Sequence, residues 1–93
     1  MKKFNVLISE TAQKELYELD KKVAENIKSA LRNLSDNPFL SRSGADIKKL
    51  KGSKNPSFFR LRVGEYRAVY VVEGTSVKVT RIMKRGKGYE WLE

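Results

Sequence analysis

Arg60, Arg62, Arg67, Arg85 and Tyr89 are the residues best suited to chemistry, and all lie in the second half of the chain. Arg60 and Arg62 alternate in FRLR, Arg67 sits in YRAVY, and Arg85 and Tyr89 belong to KRGKGYEW. A guanidinium suits phosphate because its planar fork donates two parallel hydrogen bonds and its charge is fixed. A tyrosine can stack on a base or exchange a proton. Gly86 and Gly88 let backbone approach a ligand. Trp91 can stack as well, although a C-terminal tryptophan commonly packs down to tie off a chain. RGKG is no phosphate-loop signature, since it lacks the strand–loop–helix context and the Walker spacing. The competing reading of the arginines is a solvated sheet surface whose charges discourage edge-to-edge aggregation.

What is missing narrows the chemistry further. The chain has neither histidine nor cysteine. That removes the Ser/His/Asp and Cys/His nucleophiles, the disulfide framework, thiolate metal ligands and the commonest general base. No carboxylate cluster suggests a metal, so neither metal nor cofactor is expected. Glu10, Glu15, Glu18 and Glu25 read as solvated helix faces or intrahelical ion pairs.

Charge points to the partner. Lys and Arg number 20 against 11 Asp and Glu, a net +9. The chain through Ser41 holds 7 basic and 6 acidic residues, and the remainder 13 basic and 5 acidic. Nearly all the excess therefore belongs to one part of the fold, which suggests a polyanion: nucleic acid or an acidic protein segment. The bland alternative is a charge kept for solubility. The second predicted helix is nearly balanced, which argues against a helix-turn-helix DNA reader. No window is long and apolar enough for a membrane span, and MKKFNVLISE turns polar before a signal h-region forms. The expected compartment is the cytoplasm.

The elements that must position these residues follow from periodicity. Ninety-three residues suggest a single domain, 1–93. Lys3–Ile8 reads as a first strand, with Ser9 or Thr11 as the N-cap of a helix carrying Ala12, Leu16 and Leu19 over about three turns. Asp20 caps a second helix with its stripe at Val23, Ile27, Ala30, Leu31 and Leu34, ended by the SDNPF segment. Helices joined this tightly predict an antiparallel hairpin. The period then changes to two. Ile47 begins a short strand; Pro56–Val63 and Tyr66–Val72 form a hairpin about Gly64-Glu65; EGTS turns into the last strand, Ser76–Met83. The fold class is α+β, with an N-terminal strand, a helical hairpin and a 3–4-stranded antiparallel meander covered on one face. Alternation sends Phe59, Leu61, Val63, Tyr66, Ala68, Tyr70 and Val72 to the covered face. It leaves Arg60, Arg62 and Arg67 together on the open one.

LKG at Leu50–Gly52, then FFRLRVGEYRAVYVV, then KRGKGY resembles the toxins of the RelE/ParE superfamily, over essentially the whole chain. The resemblance implies a RelE-like fold and the toxin of a type II toxin–antitoxin system. In the RelE branch such toxins cleave mRNA in the ribosomal A site; in the ParE branch they poison DNA gyrase. RelE-type chemistry implies a catalytic set of Arg67, Arg85, Tyr89, Arg62 and Arg60, with no metal. The reaction is attack of a 2′-OH on its own 3′-phosphate. Lys48, Lys49, Lys51, Lys84 and Lys87 would then dock RNA and the ribosome. The implied partners are the ribosome, mRNA and a RelB-like antitoxin that lays an acidic or amphipathic segment over the basic face. A gyrase inhibitor and a non-catalytic RNA-binding or degenerate toxin remain the alternatives.

Overall fold

The structure is a computed structural model that describes residues 3–50 and 57–84. In chain order the elements are β1 (Asn5–Ile8), α1 (Glu10–Tyr17), α2 (Lys21–Arg32), a 3-10 turn (Asn33–Ser35), β2 (Asp46–Lys49), β3 (Phe58–Val63), β4 (Tyr66–Glu73) and β5 (Ser76–Lys84). This is the expected α+β succession. The helices begin where short polar side chains cap them. Ser9 accepts from the Ala12 amide and Asp20 from the Lys22 amide, each satisfying an orphan donor of a first turn. At 8 residues, α1 is shorter than its apolar spacing suggests, about two turns.

The meander is there, and one strand joins it. The sheet has five strands in the order β1-β5-β4-β3-β2, with β2 to β5 antiparallel and β1 parallel beside β5. The first and last strands of the chain are therefore neighbours. Two-residue turns join β3 to β4 at Gly64-Glu65 and β4 to β5 at Gly74-Thr75. Both glycines have φ of 59°, the left-handed backbone that such a turn needs at its first position.

One face of the sheet packs on the helices. Ala12, Leu16, Ile27 and Leu31 meet Ile47, Leu61, Ala68, Tyr70, Val77, Val79 and Ile82, with Phe59, Val63, Tyr66 and Val72 half-buried against them. The predicted inward set of β3 and β4 is thus the observed one. An aromatic series runs from Phe4 through Phe39 and Phe59 to Tyr70, with neighbouring centroids 5.6–6.0 Å apart. The Tyr70 hydroxyl donates to the Pro38 carbonyl, which clips the connection between α2 and β2 to the sheet.

The opposite face is not bare. Val69 and Val71 are only 1% and 6% exposed, and Val69 packs with Leu50, Met83 and Phe58 in a second, smaller cluster. A β-bulge explains how β5 contributes to both faces. Tyr70 lies opposite Val79 and Val69 opposite Arg81, so Thr80 is an extra residue. An unbroken alternation would put Arg81 beside Val77 and Val79 in the core; the bulge puts Ile82 there instead.

Beyond Val79, β5 has no β1 partner, and side chains of the α1 region take over its outer edge. The Ser9 hydroxyl donates to the Thr80 carbonyl at 3.0 Å, and the Ile82 amide donates to Glu15 Oε1 at 2.7 Å. Arg81 donates through Nε and Nη2 to Glu15 Oε2 at 3.0 and 2.9 Å. Glu15 is therefore neither solvated nor paired within its own helix, contrary to its sequence reading.

Candidate nucleic-acid interface

Directly opposed residues of a sheet share a face, so the strand register decides which cations meet. Arg62 lies opposite Arg67, and Arg60 opposite both Val69 and Lys48. Arg60, Arg62, Arg67 and Lys48 thus converge on the face away from the helices. Lys49 lies opposite Phe59 and Lys84 opposite Tyr66. Both partners pack on the helix side, so these two lysines belong to the other face. Lys51, Arg85, Lys87 and Tyr89 lie outside the described residues.

The three arginines differ in what they touch. Arg60 Nη1 donates to the Asp46 carboxylate at 3.1 Å and to the Asp46 carbonyl at 3.0 Å, and its side chain is 14% exposed. Arg62 is exposed; Asp46 lies directly opposite it on β2, but among the described residues that carboxylate pairs with Arg60 and not with Arg62. Arg67 is half-buried, and its Nε and Nη1 are enclosed with no hydrogen-bond acceptor among the described residues. Enclosing donors of a charged group without an acceptor costs a few kcal/mol, roughly the penalty of a lost charged hydrogen bond. A like charge directly across the strand pair adds to that. Nε and Nη1 are themselves out of a ligand's reach, so an anion would meet this guanidinium through its remaining nitrogen, Nη2, and answer the charge from there.

The apolar floor strengthens that tendency. Val69 and Met83, the cross-strand neighbours of Arg60 and Arg67, are buried. A guanidinium on such a floor attracts phosphate more strongly than one in open water. The floor was readable in YRAVYVV, whose last five residues are uninterruptedly apolar, as in a strand buried on both faces. Asp46 was also overlooked. It stands two residues before Lys48, so period two places it on the basic face, where it restrains Arg60.

Proton transfer is not available from the described tyrosine at the centre of the sheet. Burial pushes the Tyr70 phenol well above its ordinary pKa, with Arg42 and Arg60 offsetting part of the rise. Tyr70 also faces the helices. Among the described residues, no group of three or more His, Cys, Asp or Glu side chains is arranged to hold a metal ion.

The same architecture recurs in known proteins. Residues 6–89 match the family model described as the ParE toxin of the type II toxin–antitoxin system, parDE. Toxin RelE3 of Methanocaldococcus jannaschii is 30% identical over 87 residues, covering 94% of this chain and 97% of that protein. Putative toxin RelE1 of the same organism is 32% identical over 90 residues, covering 95% and 97%. Among solved structures, the archaeal RelE–RelB complex from Pyrococcus horikoshii OT3 aligns with a TM-score of 0.77 at 26% identity, covering 92% of this chain and 99% of that one. A helical pair on a five-stranded sheet, matched by toxins over nearly its full length, defines a toxin of the type II toxin–antitoxin class. Within that class the chain belongs to the RelE/ParE superfamily.

Proposed function

We propose that this toxin is a ribosome-dependent mRNA endoribonuclease of the RelE type. The observation that carries the reading is Arg67, a half-buried guanidinium whose Nε and Nη1 find no acceptor among the described residues, set opposite Arg62 and beside the buried Val69 and Met83. The anion it fits is the scissile phosphate. The nucleotide 2′-oxygen forms a bond to its own 3′-phosphorus while the bond from phosphorus to the 5′-oxygen breaks. The products are a 2′,3′-cyclic phosphate and a 5′-hydroxyl, and the proton lost by the 2′-OH is balanced by one gained at the 5′-oxygen. Arg67, Arg62 and Arg85 stabilise charge on the phosphoryl oxygens, and Arg60 and Lys48 hold neighbouring backbone. Arginine stays protonated, so these residues bind and do not shuttle protons. Tyr89 is the group left to take the 2′-OH proton or to stack on the base. The ribosome aligns the message, a task for which so small a chain offers little surface.

The site of action is the cytoplasm, and residues 1–93 act as one toxin domain. Its activity is held in check by a RelB-like antitoxin, by analogy with the archaeal complex that aligns with it. The parDE description of the matching family model favours a second reading, poisoning of DNA gyrase. The two relatives named RelE, matched over nearly their whole length, weigh toward the nuclease.

The test is to express the wild type and Arg67→Ala in a sensitive host and map mRNA ends by primer extension. Wild type should make codon-positioned cuts. Arg67→Ala should reduce them by about a hundredfold, the typical effect of removing one transition-state donor. Growth arrest with intact mRNA and broken DNA would establish the gyrase reading instead.

A further inference from the structure

We propose that Glu15 of α1 is a positioning residue for the Arg67 anion site, acting through the second half of β5. The proposal rests on the endoribonuclease reading for its effect on catalysis, while its geometric part stands independently. From Thr80 onward β5 lacks a strand on its outer edge. Its backbone there is fixed by the Ser9 hydroxyl at Thr80 and by the Glu15 carboxylate at the Ile82 amide. The same carboxylate accepts from Nε and Nη2 of Arg81, so one group holds two consecutive residues of the strand. The next residue, Met83, is the cross-strand neighbour of Arg67 and is buried with Val69 and Leu50. The clamp therefore sets the part of the floor that lies directly across from Arg67.

The bulge makes this clamp necessary. An extra residue between Val79 and Arg81 disturbs the ladder to β4 just where β1 ends. On the β4 side the Thr80 hydroxyl donates to the Val69 carbonyl at 3.2 Å. On the other side, among the described residues, the Ser9 and Glu15 side chains take over. At 23% exposure the Glu15 side chain is shielded enough for its charge-assisted bonds to be stronger than those of an open surface pair. An edge cap with no further role would lower overall stability and leave the surroundings of Arg67 unchanged. A positioning residue changes them while the fold persists.

The experiment uses the full chain and compares Glu15→Ala, Glu15→Gln and a control, Glu18→Ala, at an exposed residue just beyond the same helix. Amide hydrogen exchange at Ile82 and the Arg67 Nε–H resonance need no activity. In Glu15→Ala, Ile82 exchange should accelerate about tenfold or more, and the Arg67 Nε–H signal should shift or be lost to water. Glu15→Gln keeps an acceptor for the Ile82 amide and should preserve both signals, and Glu18→Ala should match wild type. Ribosome-dependent cutting should fall in kcat for Glu15→Ala with little change in KM, and Glu15→Gln should restore most of it. Should Glu15→Ala fail to fold, Glu15→Asp, one methylene too short to span both donors, carries the same comparison. Unchanged Ile82 exchange and an unchanged Arg67 signal in Glu15→Ala overturn the proposal. A wild type that cuts no mRNA overturns the nuclease reading alone, and the two spectroscopic signals still judge Glu15.

Discussion

Arg67 shows most sharply how a residue placed for binding weakens the fold that holds it. Its Nε and Nη1 lie where no acceptor among the described residues reaches them, and Arg62 stands directly across the strand pair. Val69 and Met83 on the same face show that this position accepts an apolar side chain. Arg67→Met should therefore raise stability by about 1–3 kcal/mol, by removing donors without acceptors and relieving Arg62. The urea midpoint measures it, and mRNA cutting should disappear in the same variant. A destabilised Arg67→Met would mean that the guanidinium is satisfied in solution and is not poised for an anion. Arg60 is the contrasting case. It has its carboxylate in Asp46, so it contributes little unless RNA displaces that partner.

At the scale of elements, the turns and faces of the β3–β4 hairpin were legible because two local signals agreed. Period-two alternation assigned Phe59, Leu61, Val63, Tyr66, Ala68, Tyr70 and Val72 to one side, and Gly64-Glu65 fixed where the chain reverses. Gly64 has φ of 59° and open space where a Cβ would stand, so strain in the backbone is what excludes other residues. Gly64→Ala should lower stability by about 1 kcal/mol, and Gly64→Asn by less, because asparagine visits the left-handed region more readily. Thermal melts of the two variants test this, and equal losses would point to a cause other than φ. Three features were not legible, each because it depends on residues far apart in sequence. The pairing of β1 with β5 joins the two ends of the chain. The bulge at Thr80 interrupts the alternation of SVKVTRIM without any glycine or proline to announce it. Glu15 looked like any helix-surface carboxylate until the unpaired edge of β5 lay beside it. Of the proposed site, the three arginines were readable from alternation alone, whereas the faces of Lys48, Lys49 and Lys84 required the register. Basic composition does not reveal which face a lysine takes.

For the molecule as a whole, charge and the buried Tyr70 pull stability in opposite directions at high pH. With a net charge of +9, self-repulsion eases as pH rises toward the isoelectric point of about 9.9, which favours the compact state. Tyr70 acts against this. Burial raises its folded-state pKa above the ordinary 10.0, so above that pH the unfolded chain gives up a proton that the folded chain keeps. Fewer protons bound in the unfolded state means that unfolding free energy falls as pH rises, by up to about 1.4 kcal/mol per pH unit until the folded phenol also ionises. The contribution is fully present below pH ~10 and is lost above it. Wild type alone would show only the sum of the two effects. Tyr70→Phe separates them, because it keeps every lysine and removes only the phenol. At neutral pH the variant should be less stable by about 1–2 kcal/mol, having lost the hydroxyl that satisfies the Pro38 carbonyl. Denaturation curves at pH 8, 10 and 11 should then show the gap closing as wild type loses its advantage. A gap that stays constant across that range would mean that Tyr70 ionises in place and that the clip to Pro38 opens without unfolding the chain.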